Sequence, residues 1–252
     1  MRYFLYFAYN GTGFHGWQRQ PNAYTVQEAM EGALQLVLRS HIPLTAAGRT
    51  DTGVHAQLMV AHFDTVTPID DYPHFCLRLN SILPPSIAIY SVRQVIPTAH
   101  ARFDALSRKY EYRTTMLKDP FLAGVTTRIP SNLDFELMNR AAQRLLSQND
   151  FASFCKVHTD VKTTICHLSQ AEWIQTDGQW TFHIRADRFL RNMVRAIVGT
   201  LFDVGSGRTT LTDFEDILSA AHRTAAGMSA PAQGLFLVDI TYPNSIFLSE
   251  YN

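Results

Sequence analysis

The sequence predicts an α+β protein of two similar α/β halves, with helices packed on a mostly antiparallel sheet and the active-site cleft expected between them. Three observations carry this. Long amphipathic stretches at helical spacing stand beside aromatic and alternating runs of strand type. Several of those runs are joined by short turn signals, as hairpins require. The order strand, long helix, strands, shorter helix, strand occurs twice, although no sequence repeat proves a duplication. The division is expected near residues 100–107, giving an N-terminal half 1–104 and a C-terminal half 105–252.

The elements follow in order. Residues 2–9, aromatic and apolar, read as a buried strand that Asn10-Gly11-Thr12-Gly13 breaks. Trp17, in the loop that follows, reads as a core anchor or as a ring facing a nucleotide. Thr25-Val26-Gln27-Glu28 has the capping-box form, and Val26, Met30, Ala33, Leu34 and Val37 behind it make one apolar helix stripe. Val54 to Asp64 reads as a strand with His55 and His62 on opposite faces, poor partners for one metal. Asp71 starts a short helix with Phe75, Leu79 and Ile82 inward, and Ile87 to Val95 is a strand. Ser107 to Thr115 alternates, with Arg108, Tyr110, Tyr112 and Thr114 on one face. A helix is expected from Asp134 to Leu146, with Leu137 and Met138 inward, and strands from Thr164 to Trp173 and Trp180 to Ala186 around the hairpin signal Asp177-Gly178. A helix from Phe189 to Val204 would put Arg188, Arg191 and Arg195 on one face. A short helix over Asp213 to Ser219 and a strand over Leu235 to Tyr242 complete the series.

Composition narrows the class. The apolar fraction and the lack of low-complexity tracts fit a globular chain. There is no run of about 18 apolar residues and no signal-peptide pattern, so a cytoplasmic protein without membrane contact is expected. Three cysteines without a Cys-x-x-Cys fit a reducing compartment. Basic and acidic residues balance at 22 each, so total charge does not announce a nucleic-acid partner. Local surpluses do exist, at Arg93 to Lys118 and at Arg185 to Arg195, where four arginines face Asp187 alone. Such clusters can neutralise phosphates, or can be ordinary solvated faces.

The stretch that invites chemistry is Gly48-Arg49-Thr50-Asp51-Thr52-Gly53-Val54-His55-Ala56. It sets one carboxylate between two glycines ahead of a strand, where a rigid scaffold can hold a reactive group. On spacing alone the preferred reading is an Asx-type turn, with Asp51 bonded to nearby backbone. The full pattern, Gly-Arg-Thr-Asp-x-Gly-Val-His-Ala, resembles the active-site loop of the TruA-type tRNA pseudouridine synthases. Four further segments carry the same resemblance: Gly16-Trp17-Gln18 with Thr25-Val26-Gln27, Ala101 to Arg113, Asp150-Phe151 with Ser153-Phe154, and Phe189 to Gly199. The tail Ala230-x-Ala232-x-Gly234-Leu235 completes the set. Leu58-Met59 and Ser86 depart from the family's usual Gly-Gln and Asp.

The resemblance implies isomerisation of uridine to pseudouridine in the anticodon stem-loop of tRNA, by a homodimer. The reaction breaks a C–N glycosidic bond, turns the uracil and rejoins it through carbon 5. No redox step or outside group enters, so no cofactor and no metal is expected. The resemblance assigns the initiating role to Asp51, as nucleophile or as base. An ionised carboxylate in a site dry enough for a base needs a cation, and Arg195 matches, with a phosphate contact as its alternative. Tyr110 is the matched stacking residue for the uracil; without the resemblance it reads as a half-buried sheet tyrosine. Arg49 could fill the space of the flipped base or bind phosphate, and Arg108, Arg188 and Arg191 are further candidates for the RNA backbone. Two other classes stay in view. A glycosidase would need a second acid within about 5 to 9.5 Å of Asp51. A non-catalytic RNA-binding module would use the same arginines and not need Asp51. Cys155, His158, Cys166 and His167 are potential zinc ligands, at a spacing unlike common zinc motifs.

Overall fold

The computed structural model describes residues 1–156, 162–220, 222 and 225–248. They form two compact units, Met1–Leu106 with Leu237–Asn252, and Ser107–Phe236. Both are mixed α/β, with helices on mostly antiparallel strands.

In the first unit β1 (Arg2–Tyr9) is followed by α1 (Val26–Leu38), β2 (Thr45–Ala46), β3 (His55–Asp64), α2 (Tyr72–Ile82) and β4 (Ile87–Val95). β1 lies between β3 and β4 and is antiparallel to both, Leu5 facing Ala61 on one side and Val92 on the other. That central place explains its aromatic, nearly continuous apolar sequence: Tyr3, Phe4, Leu5 and Phe7 are all buried. The Thr25 side chain caps α1 by accepting from the Glu28 N–H at 3.3 Å, and Asp71 caps α2 through the His74 N–H at 2.8 Å. Each such cap contributes about 1 kcal/mol. Ile82, expected inward, is exposed: it is the last residue of α2, and the chain turns out there so that Leu83 takes the buried position.

The second unit holds β5 (Ser107–Thr115), the two-residue β6 (Thr127–Arg128) parallel to it, α3 (Phe135–Leu145), β7 (Leu168–Thr176), β8 (Gln179–Ala186), α4 (Met193–Gly205) and α5 (Leu211–Ala220). β8 runs antiparallel between β5 and β7. The β7–β8 hairpin turns on Asp177 and Gly178, both at positive φ (51° and 76°), the twist that two-residue hairpins favour. Asp134 caps α3 through the Leu137 N–H, and Phe135 rather than Leu137 goes into the core, stacking on Trp180. β7 starts later than the Thr164 expected, because the Phe151 N–H donates to the Thr164 carbonyl and the Cys166 N–H to the Asn149 carbonyl, an isolated bridge instead of the sheet.

β9 (Leu235–Thr241) begins in the second unit and ends in the first, beside β3. Its last residue and those after it satisfy backbone groups of the first unit: Thr241 accepts from Leu106, Ile246 from Ile96, and the Tyr242 hydroxyl donates to Ala101. The tail therefore groups with the N-terminal residues rather than with the C-terminal half.

One buried titratable group in the first unit makes a test of its packing. His62 on β3 is buried, Phe4 stacks along its ring, His100 meets it edge-on at 4.6 Å, and its Nδ1 accepts from the Ala101 N–H at 3.1 Å. Burial first, then the positive fields of Arg2 and His100, lower its pKa to about 4. The folded state thus keeps His62 neutral while the unfolded chain takes up a proton near pH 6.5. Stability is full above about pH 6.5, falls as the pH drops toward 4, and loses about 3 kcal/mol from this group over that window. Urea unfolding of the wild type at pH 7 and 4.5, beside His62→Gln, reads it out. The glutamine carbonyl can accept from Ala101, so most of the acid loss should vanish in the variant. Equal acid losses in both proteins would contradict the assignment.

Candidate active site

Asp51 sits between β2 and β3 in a four-residue turn, closed by the Val54 N–H donating to the Asp51 carbonyl at 3.1 Å. Gly53, in the third position of the turn, has φ 76°, a value an L side chain resists. The turn therefore forms on the backbone carbonyl of Asp51. The residues before it are tied down twice. The Thr50 carbonyl accepts from the Trp17 N–H at 3.1 Å, and the Thr50 hydroxyl meets the Tyr9 hydroxyl at 2.8 Å. Trp17 is buried against Phe7 and Tyr9, the core-anchor alternative of the two. Gly16 has φ 85°, and a Cβ there would lie 2.6 Å from the Thr50 carbonyl oxygen. After the turn, His55 is buried and its Nδ1 accepts from the Gly11 N–H at 3.0 Å, a structural use of that ring. Asp51 is half-buried and Arg49 is exposed.

The other candidates belong to the second unit. Tyr110 and Arg108 lie two residues apart on β5, with Ile184 and Ala186 of β8 opposite them. Phe189 meets the Tyr110 ring edge-on, centroids 5.1 Å apart and planes at 90°. Arg108 donates to the Asp187 carbonyl at 2.7 Å. Arg195 lies in the first turn of α4, where its Nε donates to the Ala230 carbonyl at 2.7 Å and its own carbonyl accepts from the Ala230 N–H. The Tyr112 hydroxyl holds the next residue of that segment, donating to Pro231 at 2.9 Å. Burial pushes the Tyr112 phenol well above its ordinary range, with Arg195 and the Thr127 hydrogen bond opposing, so it stays a neutral donor.

The single helix face expected for Arg188, Arg191 and Arg195 does not form. Asn192 takes the left-handed conformation (φ 65°, ψ 4°), so α4 starts at Met193; residues 188–190 are irregular and a turn over Arg191 and Asn192 is closed by the Met193 N–H donating to the Leu190 carbonyl at 3.1 Å. The Arg191 carbonyl accepts from the Lys156 N–H. The Asn192 side chain donates to Ser229, fixing the bend to the segment that holds Arg195.

Three of the four residues named as potential zinc ligands, Cys155, Cys166 and His167, are described. His158 lies outside the described residues. His167 Nδ1 is 2.8 Å from Asp187, and burial pushes the Cys166 thiol up to about 12. Among the described residues no three of His, Cys, Asp or Glu gather as ligands. Among them, too, no helix is long and apolar enough to cross a membrane.

Comparison with known proteins gives these positions a context. Residues 141–243 match a family model described as tRNA pseudouridine synthase. The chain is 53% identical over 249 residues to tRNA pseudouridine synthase A of Parabacteroides distasonis, covering 99% of each chain. It is 37% identical over 243 residues to the protein of that name from Bacillus pumilus, covering 94% of this chain and 97% of the relative. The chain belongs to the tRNA pseudouridine synthase A family. Pseudouridine synthases are isomerases, and the α/β architecture of both units agrees with that membership.

Membership says nothing of why Gly199 stands on the face of α4 that meets the Arg195-holding segment. A Cβ there would fall 1.7 Å from the Met228 carbonyl oxygen, so Gly199→Ala must push residues 228–230 off the helix and strip Arg195 of its acceptor. The expected cost is about 1–3 kcal/mol in urea unfolding. Gly32 of α1 is the control: nothing lies within 4 Å of its Cβ position, and Gly32→Ala should instead stabilise by about 0.5–1 kcal/mol. Equal effects at the two glycines would mean that close approach is not what holds the segment.

Proposed function

We propose that this protein isomerises uridine to pseudouridine in the anticodon stem-loop of tRNA, with Asp51 as the initiating group. The observation that carries the reading is the Asp51 turn, whose preceding residue is fixed by a backbone hydrogen bond to Trp17 and a hydroxyl contact to Tyr9. A group so held loses little entropy when the substrate arrives, and a reacting side chain gains most from that. The naming of the relatives supports tRNA as the substrate. In the reaction the N1–C1′ bond breaks, uracil turns, C5 bonds to C1′, the C5 proton is lost and N1 takes up a proton, so the product is an isomer of the substrate. Asp51 starts this by adding to the ribose or by taking a ribose proton. Arg195 supplies the cationic partner of that carboxylate. Tyr110 stacks on the extruded base. Arg49, Arg108, Arg188 and Arg191 contact the RNA backbone, and a homodimer in the cytoplasm spreads those contacts over one tRNA.

Purified protein incubated with unmodified tRNA, followed by mapping of pseudouridine, tests the reading. Asp51→Asn should bind tRNA as the wild type does and give no product, because the amide is a poor nucleophile and base. Arg195→Met should lower the single-turnover rate at saturating tRNA by about 100-fold or more while the dissociation constant moves little. Full activity of Asp51→Asn would remove the assignment, and a loss confined to binding in Arg195→Met would reduce Arg195 to a phosphate contact. Light scattering at micromolar concentration tests the dimer, and a strict monomer that still modifies tRNA would refute it.

A further inference from the structure

The irregular segment from Asp187 to Asn192 carries Phe189 onto Tyr110, and one residue fixes where it begins. Every polar atom of Asp187 has a partner. Its Oδ1 accepts from the N–H groups of His167 (2.8 Å) and Arg188 (2.7 Å), and its Oδ2 meets His167 Nδ1 at 2.8 Å. Its own N–H donates to the His167 carbonyl at 3.1 Å, and its carbonyl accepts from the Arg108 guanidinium at 2.7 Å. Burial pushes its carboxyl up, but the hydrogen bonds from His167 and Arg188 outweigh this and the net shift is down. The carboxylate is thus the form that the segment is built around.

The side chain of Asp187 is 43% exposed, so these contacts do not serve a core. They tie together the two places from which a ring pair is held. Through Arg108, Asp187 is referenced to β5, two residues from Tyr110. Through the Arg188 N–H it is referenced to the residue before Phe189. Tyr110 and Phe189 meet at 90°, and this angle survives only if strand and segment keep their spacing.

We propose that Asp187, backed by His167, is a positioning residue for the isomerisation: it sets the edge-on contact of Phe189 with Tyr110 and so the plane that Tyr110 offers to the uracil. The proposal rests on the reading of Tyr110 as the base-stacking residue.

Single-turnover rates at saturating tRNA, corrected for folded fraction, test it together with tRNA dissociation constants. Asp187→Ala should lose about tenfold or more in rate, with the dissociation constant within about twofold, since misplacement acts on the reaction more than on binding. Asp187→Asn keeps an oxygen for both N–H groups and an amide for His167, and should return to within about threefold of wild type. Phe189→Leu should match Asp187→Ala, and the double variant should be no worse than either, because both break one contact. A wild-type rate in Asp187→Ala, an equal loss in Asp187→Asn, or multiplying losses in the double variant would each overturn the proposal. Tyr110→Ala separates the two levels. If it is inactive while Asp187→Ala is fully active, the proposal alone falls; if it keeps the full rate, the stacking reading falls and takes the proposal with it.

Discussion

The contact on which the site depends is backbone on backbone: Gly16 laid against the Thr50 carbonyl, with the Trp17 N–H closing the hydrogen bond. No rotamer can loosen such a contact, and no side chain fits into it. Around it the sequence places residues that only make sense together. Tyr9 ends a central strand with its hydroxyl on Thr50, and Trp17 buries its ring beside that strand. Gly53 bends the chain back toward β3. The carboxylate is carried by a loop, but by one with the placement accuracy of the sheet.

The second unit holds its own candidates in the same manner. Arg195 and Tyr112 reach from a helix and a strand to the adjacent carbonyls of Ala230 and Pro231, and Gly199 lets that segment lie flush on α4. Hydrogen bonds to a charged donor are worth about 1.5–3 kcal/mol, more than a neutral pair, so the guanidinium anchors the segment as much as the segment orients the guanidinium. The tail motif Ala230-x-Ala232-x-Gly234 is the other side of this arrangement. Gly234 passes so close to Arg113 and Tyr112 that a Cβ would come within 2.9 Å of both.

Most elements were legible because their signals are local. Thr25, Asp71 and Asp134 each cap the helix they announce, and the central strand declares itself by aromatics on both faces. The features misplaced around the candidate site depend on partners distant in sequence. Arg188, Arg191 and Arg195 have helical spacing, yet Asn192 goes left-handed because Ser229, 37 residues on, takes its side chain. Asp187 reads in sequence as a lone acid among arginines, and its role needs His167 from the neighbouring strand's approach, 20 residues away. The Asp51 stretch was found through its pattern. Its spacing also fitted an Asx turn, and the turn that forms closes on the backbone carbonyl.

The path of the chain has a consequence for its synthesis. It leaves the first unit at Leu106 and re-enters it only at Leu237, so the first unit is split in sequence while the second is continuous. A ribosome working from the N-terminus therefore releases a complete second unit while β3, the strand that Asp51 leads into, still lacks β9 as its neighbour. At about 5–20 residues per second the intervening segment takes on the order of ten seconds to appear. During that interval Phe4 has no Tyr242 ring against it, and Leu106 and Ile96 have no carbonyl to donate to. The nascent N-terminal piece is an open sheet edge with an apolar face, the kind of surface that chaperones bind. The order of the genetic message thus makes the part that carries the carboxylate the last to be finished.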